Sequence, residues 1–282
     1  VSRFAPVVPI HMAEALQVGK LDYLGSYHLL LAHDILTYPE EYRRTYSRVR
    51  SLRGDTFIIL DNSIVELGYP MGLDSLTAAA AIVRPDCIVI PDKMGDGLET
   101  RKMAIKFARE YAQFRHDEMW YGGLTGAPAL MGVVQGDTIE SAMESIALYY
   151  TLPMVEYIGI PRVLVKQHGS RMDVLCCIAS IMYHLSGGNV WQPFKGVHLL
   201  GFSDDVLDDV SCARMPFVQG IDSNVPIRAG LKGYTLDLHD KQWSERVGPR
   251  GDFWNTPLDD LWHSRRGAIQ RNMTEFRQLI WR

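Results

Sequence analysis

Short, nearly continuous apolar runs recur along the chain, and the stretches between them carry apolar residues at helical spacing. Eight runs read as strands covered on both faces: PVVPI (6–10), YHLLLA (27–32), FIIL (57–60), CIVI (87–90), MGVVQ (131–135), EYIGI (156–160), VHLLGF (197–202) and FVQGI (217–221). Seven helices are predicted between them, over MAEALQV, PEEYRRTYSRVR, SLTAAAAIV, LETRKMAIKFAREYAQF, TIESAMESIALYY, SRMDVLCCIASIMYHL and DDVLDDVSCARM. A last helix is predicted over 256–281, with Thr256 as N-cap, Pro257 at the first helical position and Asp259 completing a capping box.

Strict alternation of strand and helix, eight times over, predicts a (β/α)8 TIM barrel of α/β class. Residues 1–236 would form the barrel body, and residues 237–282 a C-terminal segment that closes the same domain. A doubly wound open sheet is the competing topology.

Composition adds limits to this picture. The 282 residues are 47% hydrophobic and 22% charged, as in a globular protein, and no apolar run approaches the roughly 20 residues that span a bilayer. No secretory signal pattern opens the chain, and Val1 in place of an initiator Met fits a processed or trimmed end. Cys87, Cys176, Cys177 and Cys212 form no C-x-x-C pair, so they read as reduced thiols of a cytoplasmic protein. The net charge of -4 is unevenly spread: residues 241–282 hold eight Lys/Arg against five Asp/Glu, and residues 1–240 carry a net -7. A weakly basic tail on an acidic body could meet a polyanion, or could be an ordinary solvated helix face.

Barrel enzymes place their chemistry at the carboxyl ends of the strands. At or just past those ends stand Asp61, Asp92, Gln135, Gly159 and Asp222. Any single Asp there could simply cap a helix or open a turn. Two carboxylates facing one ligand can also divide the work of displacement at a sugar anomeric carbon, one ionised and one exchanging a proton. Asp92 and Gln135 suit another task, because a carboxylate accepts while an amide donates and accepts, so together they can read the polar edge of a purine-like base. An ordinary barrel glycosidase using Asp61 and Asp222 remains open at this point.

Several segments, in order, resemble the tRNA-guanine transglycosylase (queuine tRNA-ribosyltransferase) family. LGSYHLLL (24–31) is similar to that family's L-G-N-T-Y-H-L-L-L, and LDNSIVELG stands where it has D-S-G-G-F-Q. PDKM resembles F-D-E-C, MGVVQG resembles G-I-V-Q-G, YIGIPR resembles the I-G-G-L strand, and HLLGFSDD resembles Y-L-M-G-V-G-T-P-E-D. From Asp222 through Pro226 to Arg228 the chain keeps the D-x-x-x-P-x-R spacing of D-C-V-L-P-T-R. The resemblance implies a covalent exchange in which Asp222 is the nucleophile and Asp61 the general acid/base. Asp92 and Gln135 would read the base, assisted by backbone amides around Gly159 and Ile160.

The departures redirect the expectation. After Asp61 the chain reads Asn-Ser-Ile-Val where the family has Gly-Gly-Phe-Gln, so a base would have to stack elsewhere, with Phe202 and Tyr69 as candidates. The C-x-C-x-x-C segment of the tRNA enzymes is missing, and Gln270 stands where the last helix would carry their zinc-binding His, so no structural zinc and no other cofactor are expected. In outline the chain resembles the small bacteriophage members, the 7-deazaguanine DNA transglycosylases. That resemblance implies DNA as partner, with tRNA as the alternative, together with a free 7-deazaguanine base; the location would be the host cytoplasm, with no membrane contact and a homodimer as one candidate assembly. Arg246, Arg250, Arg265 and Arg266 are candidate phosphate contacts, and Arg228 could hold a phosphate or pair with Asp222. A non-catalytic partner subunit that binds nucleic acid is the alternative of another class; it has no need to keep both Asp61 and Asp222.

Overall fold

A computed structural model describes residues 3–17, 24–121, 127–152, 154–164, 169–187, 194–202, 206–235, 253 and 260–281, with the backbone alone at 17, 115–121, 206, 260–263 and 281. Its eight strands are β1 (Arg3–Pro6), β2 (Tyr27–Leu31), β3 (Phe57–Asp61), β4 (Cys87–Val89), β5 (Ala129–Val133), β6 (Val155–Pro161), β7 (Gly196–Leu200) and β8 (Val218–Ser223). Hydrogen-bonded neighbours run β1-β8-β7-β6-β5-β4-β3-β2, every pairing is parallel, and β2 lies alongside β1. The result is a nearly closed (β/α)8 barrel, and parallel pairing brings all eight carboxyl ends to one face.

The helices follow in chain order: α1 (Ile10–Gln17), α2 (Ala32–Thr37), α3 (Pro39–Leu52), α4 (Ile64–Leu67), α5 (Leu73–Val83), α6 (Gly97–Tyr121), α7 (Ile139–Thr151), α8 (Arg171–Leu185), α9 (Val206–Ala213), α10 (Val225–Leu231) and α11 (Asp260–Trp281). Local chemistry starts several of them. Thr138 caps α7 by accepting the Ser141 N–H, and Ser170 caps α8 by accepting that of Asp173. Along α3, Tyr42, Thr45, Tyr46 and Val49 are buried at helical spacing, so one face packs on the barrel while the arginines point outward.

Period-two alternation divides the apolar residues between two cores. Tyr27, Leu29 and Leu31 of β2 face the barrel interior with Ile59, Val89, Met131 and Val133. Leu30, Ile58 and Leu60 face the helices. At the amino end of the interior Tyr27 stacks on Phe57 with centroids 5.6 Å apart, and Phe57 meets Tyr157 edge-on at 5.5 Å. Gly220 makes room for this layer, since a Cβ there would lie 2.4 Å from the Tyr27 ring. The last helix α11 packs on α10 and β1, where Asn272 donates to the carbonyls of Pro226 and Tyr234.

Several elements differ from the sequence expectation, among them the unpredicted short helices α2 and α4 and a fifth strand that ends at Val133, two residues before Gln135. The first strand is Arg3–Pro6 instead of 6–10, because the Pro9 carbonyl already accepts from Met12 and Ala13 and starts α1. Asp222 lies within β8, opposite Ala5, instead of just past the strand. After it the Pro-Ile-Arg-Ala-Gly stretch is helical, with Pro226 in the first turn, where its fixed φ and missing N–H cost nothing. The predicted cap of the last helix, Thr256 to Asp259, lies outside the described residues. No helix among the described residues is long and apolar enough to cross a membrane.

Candidate active site

A cavity of about 240 Å³ opens at the carboxyl ends of the strands. Drug-sized pockets run to roughly 300–1,000 Å³, so this one suits a single ring system and not an extended polymer. Leu29, Leu31, Val89, Val133 and Leu200 give it aliphatic walls, and Asp61, Glu66, Asp92 and Asp222 bring four carboxylates to it.

Asp222 is 7% exposed. Its Oδ1 accepts from the Gly201 N–H at 2.8 Å and contacts His198 Nε2 at 3.1 Å, while Oδ2 has no hydrogen bond among the described residues. The Gly201 donor is itself held from behind. Arg171, wholly buried, donates to the carbonyls of Leu200 and Gly201 at 3.1 and 3.0 Å and pairs with the equally buried Asp209 at 2.8 Å. Substituting either partner would strand a buried charge, so this pair fixes the end of β7 against the nearby carboxylate.

Asp61 ends β3 and accepts from the Ser63 N–H at 2.7 Å. Burial, and next the charge of Glu66, push its carboxyl well above the usual carboxylate range; the Ser63 N–H opposes this, and the charges of Asp222 and Asp92 add to it. Asp61 is therefore the acid in this cavity placed to carry a proton. The turn that follows is strained: Ser63 has φ 62°, in the left-handed region that favours glycine. Its hydroxyl accepts from the His33 N–H at 3.2 Å, which helps to hold the turn. Replacing Ser63 by Val should cost about 2–3 kcal/mol, from left-handed strain on a β-branched residue and the lost hydrogen bond, whereas Gly should stay within about 1 kcal/mol. Urea unfolding of the two variants measures the difference, and equal stabilities would contradict it.

Asp92 is 3% exposed and accepts from Asn62 Nδ2 and from Gln135 Nε2, each at 2.8 Å. Burial raises its pKa, with the Asn62 and Gln135 donors opposing. Asn62 Nδ2 also donates to the Ile90 carbonyl, its Oδ1 accepts from Ile64, and Gln135 Oε1 accepts from Gly95. Both amides are thus locked in orientation, and a ligand meets Asp92 as a prearranged acceptor with lone pairs to spare.

Of the residues predicted from sequence, Asp61, Asp92, Gln135 and Asp222 are brought together around this cavity. Gly159 and Ile160 pair with β7 in the ladder, and on β6 the lining is supplied by Pro161 and, beyond it, Arg162 and Val163. Phe202 is buried against Phe276, with centroids 4.8 Å apart, and Tyr69 is 62% exposed; neither lines the cavity. Arg228 lies on α10, and Arg265 and Arg266 on α11, also away from the lining, with the Arg265 guanidinium over Gly233. Arg246 and Arg250 lie outside the described residues, as does the segment that replaces the zinc-binding lobe. Among the described residues no three His, Cys, Asp or Glu side chains are grouped to hold a metal ion.

Sequence reasoning missed Asn62, Glu66, Arg162 and His198. For His198 a signal existed: Leu200 and His198 are two apart on one strand, so a strand that turns Leu200 inward turns His198 inward as well. The fold and the mouth together define a (β/α)8 barrel with an acid-lined cavity at its carboxyl face. Comparison of the chain with protein-family models and with curated proteins gave no match.

Proposed function

We propose that this protein is a transglycosylase that replaces guanine in DNA by a 7-deazaguanine through a covalent Asp222 intermediate. The observation that carries the reading is the pairing of two acids in unlike environments across one cavity. Asp222 is oriented through Oδ1 by its neighbours, and Asp61 is pushed toward the protonated form. In the first step Asp222 Oδ2 attacks the anomeric carbon as the bond to the base nitrogen breaks, and the departing guanine takes the Asp61 proton. In the second, the Asp61 carboxylate removes a proton from the incoming base, whose nitrogen displaces Asp222. Two displacements at one carbon retain its configuration.

The remaining polar groups give such a site its selectivity. Asp92, steadied by Asn62 and Gln135, would accept hydrogen bonds from the N–H edge of the base. A base that cannot donate there covers the carboxylate without adding a hydrogen bond to those from Asn62 and Gln135, a mismatch that discriminates against it. The aliphatic walls would sandwich the ring in the role expected of an aromatic. For duplex DNA the target nucleotide must be flipped out at a cost of a few kcal/mol. The acid-rich mouth repels phosphates, so backbone contacts fall to the rim, where Arg162 lines the cavity.

Incubation with radiolabelled guanine and either DNA or tRNA tests the reading. Label should enter DNA. Label entering tRNA alone would keep the chemistry and overturn the polymer, and label entering neither would overturn both.

A further inference from the structure

Beneath the cavity a hydrogen-bonded chain crosses the barrel interior from Asp222 to the opposite end. His198 Nε2 lies 3.1 Å from Asp222 Oδ1, and its Nδ1 lies 2.9 Å from the Tyr27 hydroxyl. His198 is 1% exposed and Tyr27 is 2% exposed. We propose that His198, held by Tyr27, is a positioning residue that presents an Nε2–H to Asp222 and so aims the other carboxylate oxygen at the anomeric carbon. This rests on Asp222 being the nucleophile proposed above.

The sheet around His198 makes room for its phenol partner. The register neighbours of His198 are Gly159 on β6 and Gly220 on β8, and the β7–β8 register shifts at Val197/His198. A Cβ on Gly220 would lie 2.4 Å from the Tyr27 ring, so the glycine admits the phenol that holds His198, beside an irregularity in the ladder.

The tautomer follows from the partners. Burial pushes the Tyr27 phenol well above its ordinary range, with Cys87, Asp222 and Tyr157 adding to this and Arg3 opposing it, so the phenol keeps its proton. A phenol O–H donating to bare Nδ1 leaves the ring proton on Nε2, directed at the carboxylate. The reverse tautomer would set a bare nitrogen against a carboxylate oxygen at 3.1 Å in a site sheltered from water, which is repulsive. The groups facing this chain are Asp222 above, Tyr27 below, and Arg3 over the Tyr27 ring at 5.5 Å from its centroid.

Chemically, the arrangement separates the two oxygens of Asp222. Oδ1 takes the Gly201 N–H and the His198 Nε2–H and keeps both as the carboxylate becomes an ester, since it is then the ester carbonyl oxygen. Oδ2 forms the bond to the sugar as the base leaves, and recovers that electron pair when the second base arrives. The same donors thus serve both displacements, and losing one should slow chemistry and spare polymer binding.

The test combines nuclear magnetic resonance with kinetics. In protein carrying ¹⁵N-labelled histidine, His198 should show a protonated Nε2 and a bare Nδ1, and Tyr27→Phe should disturb that pattern. His198→Phe should lower kcat for base exchange about 10²-fold with KM for DNA within about threefold. Tyr27→Phe should lower kcat about 10-fold, and His198→Gln, which keeps a donor toward Asp222, should recover most of the loss. A bare Nε2 in the wild-type protein would overturn the proposal, as would kcat within twofold of wild type in both His198→Phe and Tyr27→Phe. If His198→Phe fails to fold, Tyr27→Phe and the wild-type resonances decide. Wild-type protein that exchanges base in neither DNA nor tRNA sinks the transglycosylase reading instead, and the resonances still show whether His198 presents its Nε2–H.

Discussion

Asp222→Asn should lower base exchange by about 10⁴-fold or more while the protein folds as before. Removal of the covalent nucleophile from a group of residues that act as a unit commonly costs this much. The amide has the shape of the carboxylate, and its oxygen can still accept from Gly201 and His198, so what is lost is nucleophilicity and charge and not the fit of β8 against β7. Circular dichroism and a Tm within a few degrees of wild type would establish the intact fold. Burst kinetics with a stoichiometric amount of labelled DNA would measure the chemical step. Exchange within about tenfold of wild type in a folded Asp222→Asn protein would remove Asp222 from its role and leave the cavity without a nucleophile.

The second large effect concerns Asp61, where activity and stability should move in opposite directions. Asp61→Asn should lower kcat by about 10²–10⁴-fold, the range for loss of a general acid/base. Its stability effect follows from proton linkage. The folded-state pKa of Asp61 is raised above the ordinary carboxylate value, by burial first and Glu66 next, so the folded protein binds the proton more tightly than the unfolded chain. Wild-type stability therefore falls as pH rises from the ordinary carboxylate pKa through the raised one. Asn lacks the ionisation, so Asp61→Asn should match wild type below the ordinary carboxylate range, gain on it across that window, and hold the gain above it. At neutral pH the gain should be read as a Tm above that of wild type. Glu66→Gln should draw the raised pKa back down, moving the alkaline fall in activity to lower pH. An Asp61→Asn protein no more stable than wild type at pH 8 would show that the carboxyl is not held out of its ordinary range.

The barrel was legible because most of its strands advertise themselves: FIIL, CIVI and EYIGI are apolar on both faces, which only a sheet buried on both sides requires. Boundaries were less so. PVVPI reads as a strand by composition, yet the pairing ends at Pro6 and Val7, and the Pro9 carbonyl opens a helix, a distinction not made by hydrophobicity. The helix at Val225 was hidden by its own proline and glycine, which signal a break in isolation but fit the first turn and the close approach of α11, where Gly230 lies against Ile269.

The same division runs through the site. Asp61, Asp92, Gln135 and Asp222 could be picked out because each was read at or just past the end of a strand, although Asp222 proves to lie within its own. What could not be read were the partnerships. Asn62 with Asp92, Gln135 with Gly95, and Tyr27 with His198 join residues 30, 40 and 171 positions apart, and no local pattern carries such pairings. Glu66 sits on a four-residue helix that follows the left-handed turn at Ser63, too short for any periodicity to announce it.

Mass spectrometry of the trapped intermediate tests the central claim most directly. The protein would be mixed with a guanine-containing DNA oligonucleotide, denatured, digested with nuclease and protease, and its peptides sequenced. The peptide containing Asp222 should carry a deoxyribose-linked nucleotide remnant on that residue. Base exchange that proceeds with the adduct on another residue, or with no adduct at any time, would contradict the assignment of Asp222.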